Sequence, residues 1–196
     1  MNVINTVAIF CGSSSGNKEK YYDDAYQLGL FLAEKNIEIV YGGAKVGLMG
    51  AVASGALTAG GKVVGVMPDF IKSKEIAYEN LTELITVSTM HERKMIVFER
   101  SDAAIVLPGG FGTMDEIFEL LTWGQLGLHK KPIGILNTLG FYDLLLSFMD
   151  HMVTQNLLRS GNRDMIMIGD VPSDLLHDMV HYKAPKKPKW IDLDQI

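Results

Sequence analysis

The chain of 196 residues contains a single cysteine, Cys11, so no internal disulfide can form. That removes the disulfide-stapled secreted folds. No apolar run approaches the ~18 residues of a membrane-spanning helix. The start, Met1-Asn2-Val3-Ile4-Asn5, lacks the basic residues of a secretory signal. A cytoplasmic protein is the expectation. Basic charge is not in excess either: 18 Lys and Arg against 23 Asp and Glu give −5. This balance disfavours a general nucleic-acid binder and leaves room for a local basic pocket. The histidines, His91, His129, His151, His177 and His181, show no zinc spacing with Cys11 or with one another. No H-E-x-x-H pattern occurs, so no metal is expected. Internal repeats and long linkers are missing as well. Residues 1–182 are therefore expected to form one domain. Residues 183–196, opening with Lys183-Ala184-Pro185-Lys186-Lys187-Pro188-Lys189, are expected to be a solvated, flexible tail.

What the chain does have is alternation. Short apolar runs at Thr6–Cys11, Ile37–Tyr41, Lys62–Met67, Ile85–Val87, Ala103–Leu107, Ile133–Leu136 and Met165–Ile168 read as strands. Between them lie helical patterns. One runs from about Lys18 to Lys35, with Tyr22, Ala25, Tyr26, Gly29 and Leu32 on its apolar face. Others run to Ala59, from Thr89, from Thr113 to about Leu126, from Phe141 to about Thr154, and over Ser173–Val180. Thr89-Met90-His91-Glu92 has capping-box spacing. Strand–helix alternation requires crossover connections and a mainly parallel sheet. The expected fold is α/β, Rossmann-like and doubly wound, with helices on both faces and a ligand crevice at the carboxyl ends of the strands.

Three glycine- or serine-rich turns fall at such ends: Gly12-Ser13-Ser14-Ser15-Gly16, Gly42-Gly43-Ala44-Lys45-Val46-Gly47 and Pro108-Gly109-Gly110-Phe111-Gly112. The third joins a buried strand to a helix. Glycine allows a sharp turn and a close approach by ligand, and a helix start favours an anion. A phosphate is the expected guest. None of these turns matches the dinucleotide pattern: Gly42–Gly47 lacks the G-x-G-x-x-G spacing, and Asp115 stands where Gly110-x-Gly112 would need a third glycine. A further stretch, Gly60-Gly61-Lys62-Val63, is no P-loop, since no Ser or Thr follows Lys62 and no glycine stands at the required earlier position. An NAD or ATP enzyme is not the first reading.

Beside the third turn stands Glu116. Thr113-Met114-Asp115-Glu116 also has capping-box spacing, so a helix cap competes with a catalytic carboxylate. Arg93-Lys94 lies in the first turns of the helix from Thr89. Two cations there oppose the helix dipole, which a bound anion offsets; a solvated charge pair is the plain alternative. An arginine beside Glu116 would hold that acid ionised. Cys11 reads as a small core residue. The methionines read as core filler, with Met90, beside the arginine, as the exception.

The stretch Pro108–Glu116 resembles the signature P-G-G-x-G-T-x-x-E of the "lonely guy" family, phosphoribohydrolases that release free cytokinin bases from their nucleotides. Arg93-Lys94 matches a second element of that family. Gly12-Ser13-Ser14 and the run from Tyr41-Gly42-Gly43 through Gly47-Leu48-Met49-Gly50 match further ones. The resemblance extends to about Met179. Ala44 departs from it, where many relatives carry glycine.

The resemblance implies that Gly110, Gly112 and Thr113 hold a 5′-phosphate and that Arg93 and Glu116 are the catalytic pair. Glu75 and Lys94 would contact substrate, and Thr122 would line the site from the helix of Glu116. The implied substrate-binding set also includes Gly12, Ser13, Gly43, Met90, Gly109, Phe111, Met114 and Asp115. A homodimer with active sites near its interface is implied, with no organic cofactor or metal. An older label for such sequences, lysine decarboxylase, requires a lysine that holds a pyridoxal group, and no lysine here is singled out for it. The expected reaction is hydrolysis of the bond between an N6-substituted adenine and ribose 5-phosphate. Glu116 would act as base or as electrostatic stabiliser of an oxocarbenium-like transition state. Two competing readings are a phosphoribohydrolase acting on AMP or general nucleotides and a nucleotide carrier without turnover.

Overall fold

Apolar strands that alternate along the chain with amphipathic helices must bury both sheet faces, and the computed structural model, which describes residues 1–72 and 77–185, shows how they do so. Among these residues the strands are β1 (Thr6–Phe10), β2 (Glu38–Tyr41), β3 (Val63–Pro68), β4 (Glu83–Val87), β5 (Ala103–Val106), β6 (Ile133–Leu136) and β7 (Ile166–Gly169). The helices are α1 (Glu19–Glu34), α2 (Gly47–Thr58), the short α3 (Asp69–Lys72), α4 (Met90–Arg100), α5 (Phe111–Gln125), α6 (Asp143–Thr154), the short α7 (Ser160–Arg163) and α8 (Pro172–His181). A 3₁₀ turn at Thr138–Gly140 precedes α6. All the strands join one parallel sheet of order β4-β3-β2-β1-β5-β6-β7. The mainly parallel sheet expected from the sequence is thus parallel throughout.

Side chains alternate across each strand and divide the core in two. Val7, Ile9 and Cys11 of the β1 run face α1, α2 and α8 together with Ile39, Tyr41 and Ile105. Ala8 and Phe10 face α4, α5 and α6 together with Val40, Val66 and Val106. Helices therefore cover both faces. No helix among the described residues is long and apolar enough to cross a membrane.

The order of the sheet also places the site. β1 pairs with β2 on one side and β5 on the other, so the connections after β1 and β5 run to opposite faces. Such a divergence opens a crevice at the strand carboxyl ends. Two bonds tie its walls together: the Gly12 N–H donates to the Pro108 carbonyl at 2.9 Å, and the Leu48 N–H to the Gly12 carbonyl at 3.1 Å. All three glycine- and serine-rich turns are thereby brought to one place.

Candidate active site

The crevice is a cleft of about 310 Å³. Gly12 and Ser13 line it from the turn after β1, Gly42 from the turn after β2, and Gly110, Phe111, Gly112 and Thr113 from the start of α5. Gly110 is the N-cap of α5 and makes no side-chain cap bond. The first amides of α5 thus have no intrahelical acceptor, and they open into the cleft where an anion would be favoured. A Cβ on Gly110 or Gly112 would meet nothing within 4 Å, so these two glycines border open space. Gly109 differs, because a Cβ there would collide with the buried Thr113.

The helix begins two residues earlier than the sequence suggested. Thr113 is the third residue of α5 rather than its cap, so the Thr113–Glu116 capping box does not form. The Thr89 box does form: Thr89 Oγ1 accepts the Glu92 N–H at 3.1 Å, and Glu92 accepts the Thr89 N–H. That cap fixes the start of α4, which presents Arg93 and Lys94 to α5.

Freed from capping, Glu116 faces Arg93, with Arg93 Nη1 3.2 Å from Glu116 Oε1. The side chains are 15% and 12% exposed, which excludes a solvated charge pair. Arg93 Nε also donates to the Val66 carbonyl at 3.2 Å, anchoring the guanidinium to the end of β3. Gly42 leaves room for it, since a Cβ there would overlap an Arg93 terminal nitrogen. Lys94 bridges Asp115 at 3.2 Å and Glu119 at 3.1 Å. Its ammonium is held above the ordinary lysine pKa, because these hydrogen-bonded carboxylates outweigh the burial that lowers it.

Electrostatics corrects one expectation. Arg93 alone would keep Glu116 ionised, but burial outweighs it and pushes the carboxyl up to about 7. Cys11 lies in the cleft floor, 7% exposed. Burial first, and Glu116 second, push its thiol far above the usual range. It is a protonated wall residue, as the core reading required.

Met49, Met67, Pro68, Ile71 and Met90 also line the cleft. Of these, sequence reasoning singled out Met90 alone. The end of β3 at Pro68 was expected, but nothing in the sequence showed that it borders the cleft. Other expected site residues lie elsewhere. Gly43, at φ +82°, packs on Gly65 and Met67, and its neighbour Gly42 takes the cleft position. Met114, Asp115 and Thr122 border a separate open hollow with Phe118 and Glu119 on the outer side of α5. Thr122 donates its hydroxyl to the Phe118 carbonyl at 2.7 Å, one turn back on the same helix. Glu75 and part of the tail, residues 186–196, lie outside the described residues.

Fold and site together define a Rossmann-like α/β protein with a guanidinium–carboxylate pair beside an anion-accepting helix start. Residues 49–179 match a family model described as "Possible lysine decarboxylase". The cytokinin riboside 5′-monophosphate phosphoribohydrolase LOG2 of Arabidopsis thaliana is 45% identical over 185 residues, which covers 94% of this chain and 86% of that protein. A probable enzyme of the same name from Oryza sativa subsp. japonica, LOGL2, is 43% identical over 189 residues, covering 94% and 78%. The chain belongs to this family, that of the LOG phosphoribohydrolases. The fold is shared more widely. The molybdenum cofactor carrier protein of Chlamydomonas reinhardtii aligns with TM-score 0.69 at 18% identity, over 90% of this chain and 98% of that one.

The decarboxylase description implies a pyridoxal group bound to a lysine. None of the described residues lining the cleft is a lysine, and the nearby Lys94 is paired with Asp115 and Glu119. These residues do not fit that group.

Proposed function

We propose that this protein hydrolyses the N-glycosidic bond of cytokinin riboside 5′-monophosphates, N6-substituted forms of AMP, releasing the free base and ribose 5-phosphate. The observation that carries the reading is the Arg93–Glu116 pair, set in the same cleft as the open amides of Gly110–Thr113. The amides hold the phosphate at one end, so binding energy remote from the reacting bond fixes the sugar. Glu116, with its carboxyl near 7, is matched to proton transfer at neutral pH. It takes a proton from water as the water oxygen bonds to C1′. The C1′–N9 bond breaks, its electron pair leaves with the purine, and the proton passes on to the base. The developing oxocarbenium charge is stabilised by the same carboxylate. Arg93 holds Glu116 in place and favours its ionised form.

The methionine-rich wall of Met49, Met67 and Met90 offers an apolar seat for an N6 substituent. Phe118, Leu144 and Phe148 leave apolar surface exposed on the outer sides of α5 and α6, which supports a homodimer through that face, near the Glu116 helix. The proposed reaction is a cytoplasmic one. The test is chromatography of products after incubation with AMP and with N6-isopentenyl-AMP. Free isopentenyladenine formed faster than adenine supports the proposal. Adenine formed equally fast makes it a general nucleotide phosphoribohydrolase, and binding without any free base makes it a carrier.

A further inference from the structure

Pro108 creates a problem where β5 enters the anion-accepting turn. It has no N–H, and its neighbours are buried or half-buried, so the polar groups around it need partners. Tyr142, 2% exposed at the start of α6, supplies one. Its hydroxyl donates to the Leu107 carbonyl at 2.7 Å, and the Gly109 N–H on the other side of Pro108 acts electrostatically on the same oxygen. The Pro108 carbonyl is meanwhile taken by the Gly12 N–H at 2.9 Å.

The phenol is itself held. The Tyr142 N–H donates to Asn137 Oδ1 at 2.8 Å, and Asn137 Nδ2 donates to Asp143 Oδ1 at 2.7 Å. Its ring meets Phe141 edge-on with centroids 4.8 Å apart. Burial pushes its pKa far above the ordinary tyrosine range, so the hydroxyl stays protonated and remains a donor at any working pH.

We infer that Tyr142 is a positioning residue for phosphate binding: its hydroxyl, bonded to the Leu107 carbonyl just before Pro108, sets the direction of the Gly110 and Gly112 amides without touching substrate. The inference rests on the reading of that turn as the phosphate seat. Tyr142→Phe keeps the ring and leaves the Leu107 carbonyl without its partner. Binding of ribose 5-phosphate, measured by calorimetry, should weaken about tenfold, and KM for the 5′-monophosphate should rise by a similar factor. Inhibition by the free base should stay unchanged, because the seat proposed for the base is the methionine wall and not the turn.

A purely structural role would instead weaken phosphate and base ligands alike, and that result overturns the inference. So does a Phe variant that binds ribose 5-phosphate as wild type does. Asn137→Ala, which loosens the phenol's support and keeps its hydroxyl, provides a second variant if the first does not fold. It should give the same selective loss to a smaller extent, and equal loss of both ligand types would overturn the inference. Failure of the wild-type protein to bind ribose 5-phosphate would instead remove the phosphate seat itself, and the inference with it.

Discussion

Arg93 Nη1 stands 3.2 Å from Glu116 Oε1, joining α4 to α5 across the floor of the cleft. The pair is held by more than its own attraction. Arg93 is fastened to the Val66 carbonyl, and the opening of α5 at Phe111 leaves Glu116 free of any capping duty. Each feature gives an expectation that can be measured.

Glu116→Gln should fold normally and lose turnover. The amide has nearly the shape of the carboxylate but cannot take the proton, so base release should fall by about 10²-fold or more. Melting temperature and product chromatography on the same preparation check this. A folded, active Gln variant would remove Glu116 from the chemistry.

Activity should rise with pH along a limb centred near 7, where Glu116 loses its proton. Arg93 lowers that carboxyl's pKa, so in Arg93→Gln the residual activity should show its limb at higher pH. The linked effect on stability has the opposite sense to an ordinary salt-bridged acid. Because the folded pKa is raised from 4.5 to about 7, the favourable contribution is full below 4.5 and is lost as pH climbs through 7. Melting curves should therefore show Glu116→Gln gaining on wild type across that window.

Gly42→Ala should act as an indirect lesion of Arg93. The added methyl overlaps the guanidinium and crowds the Met49 sulfur at 3.0 Å. Arg93 must withdraw from Glu116, and kcat/KM should fall by about tenfold or more, as expected for a misplaced catalytic group. Steady-state kinetics beside an unchanged circular-dichroism spectrum would establish it.

Phe148→Asp should convert the proposed dimer into monomers. Phe148 is 54% exposed on α6, and a carboxylate in an apolar contact face lacks a partner. Light scattering on wild type and variant reports the mass directly. A monomeric wild type would remove the proposed interface.

The strands were legible in the sequence because their apolar runs are short, β-branched and bounded by turn residues; β5 and β6 differ from expectation by at most one residue at an end. The meeting of Arg93 and Glu116 was legible through their motifs. Boundaries decided by local packing were not. The Thr113 motif has the letters of a cap, but Gly110 can start the helix sooner, which turns Thr113 inward against Gly109. The displacement of Thr122 follows from the same helix, whose outer face carries Met114, Asp115 and Thr122 away from the cleft. Tyr142 gave no sequence signal, since a tyrosine at a helix start reads as packing until its hydroxyl is seen to hold the Leu107 carbonyl just before Pro108.

The seating of Cys11 has a practical side. A sulfhydryl enclosed beneath the cleft, and kept from ionising by its surroundings, offers little to alkylating reagents or to air. Purification should need no reducing agent, and a fluorescent maleimide should label a cysteine newly introduced at the surface while leaving the native one untouched.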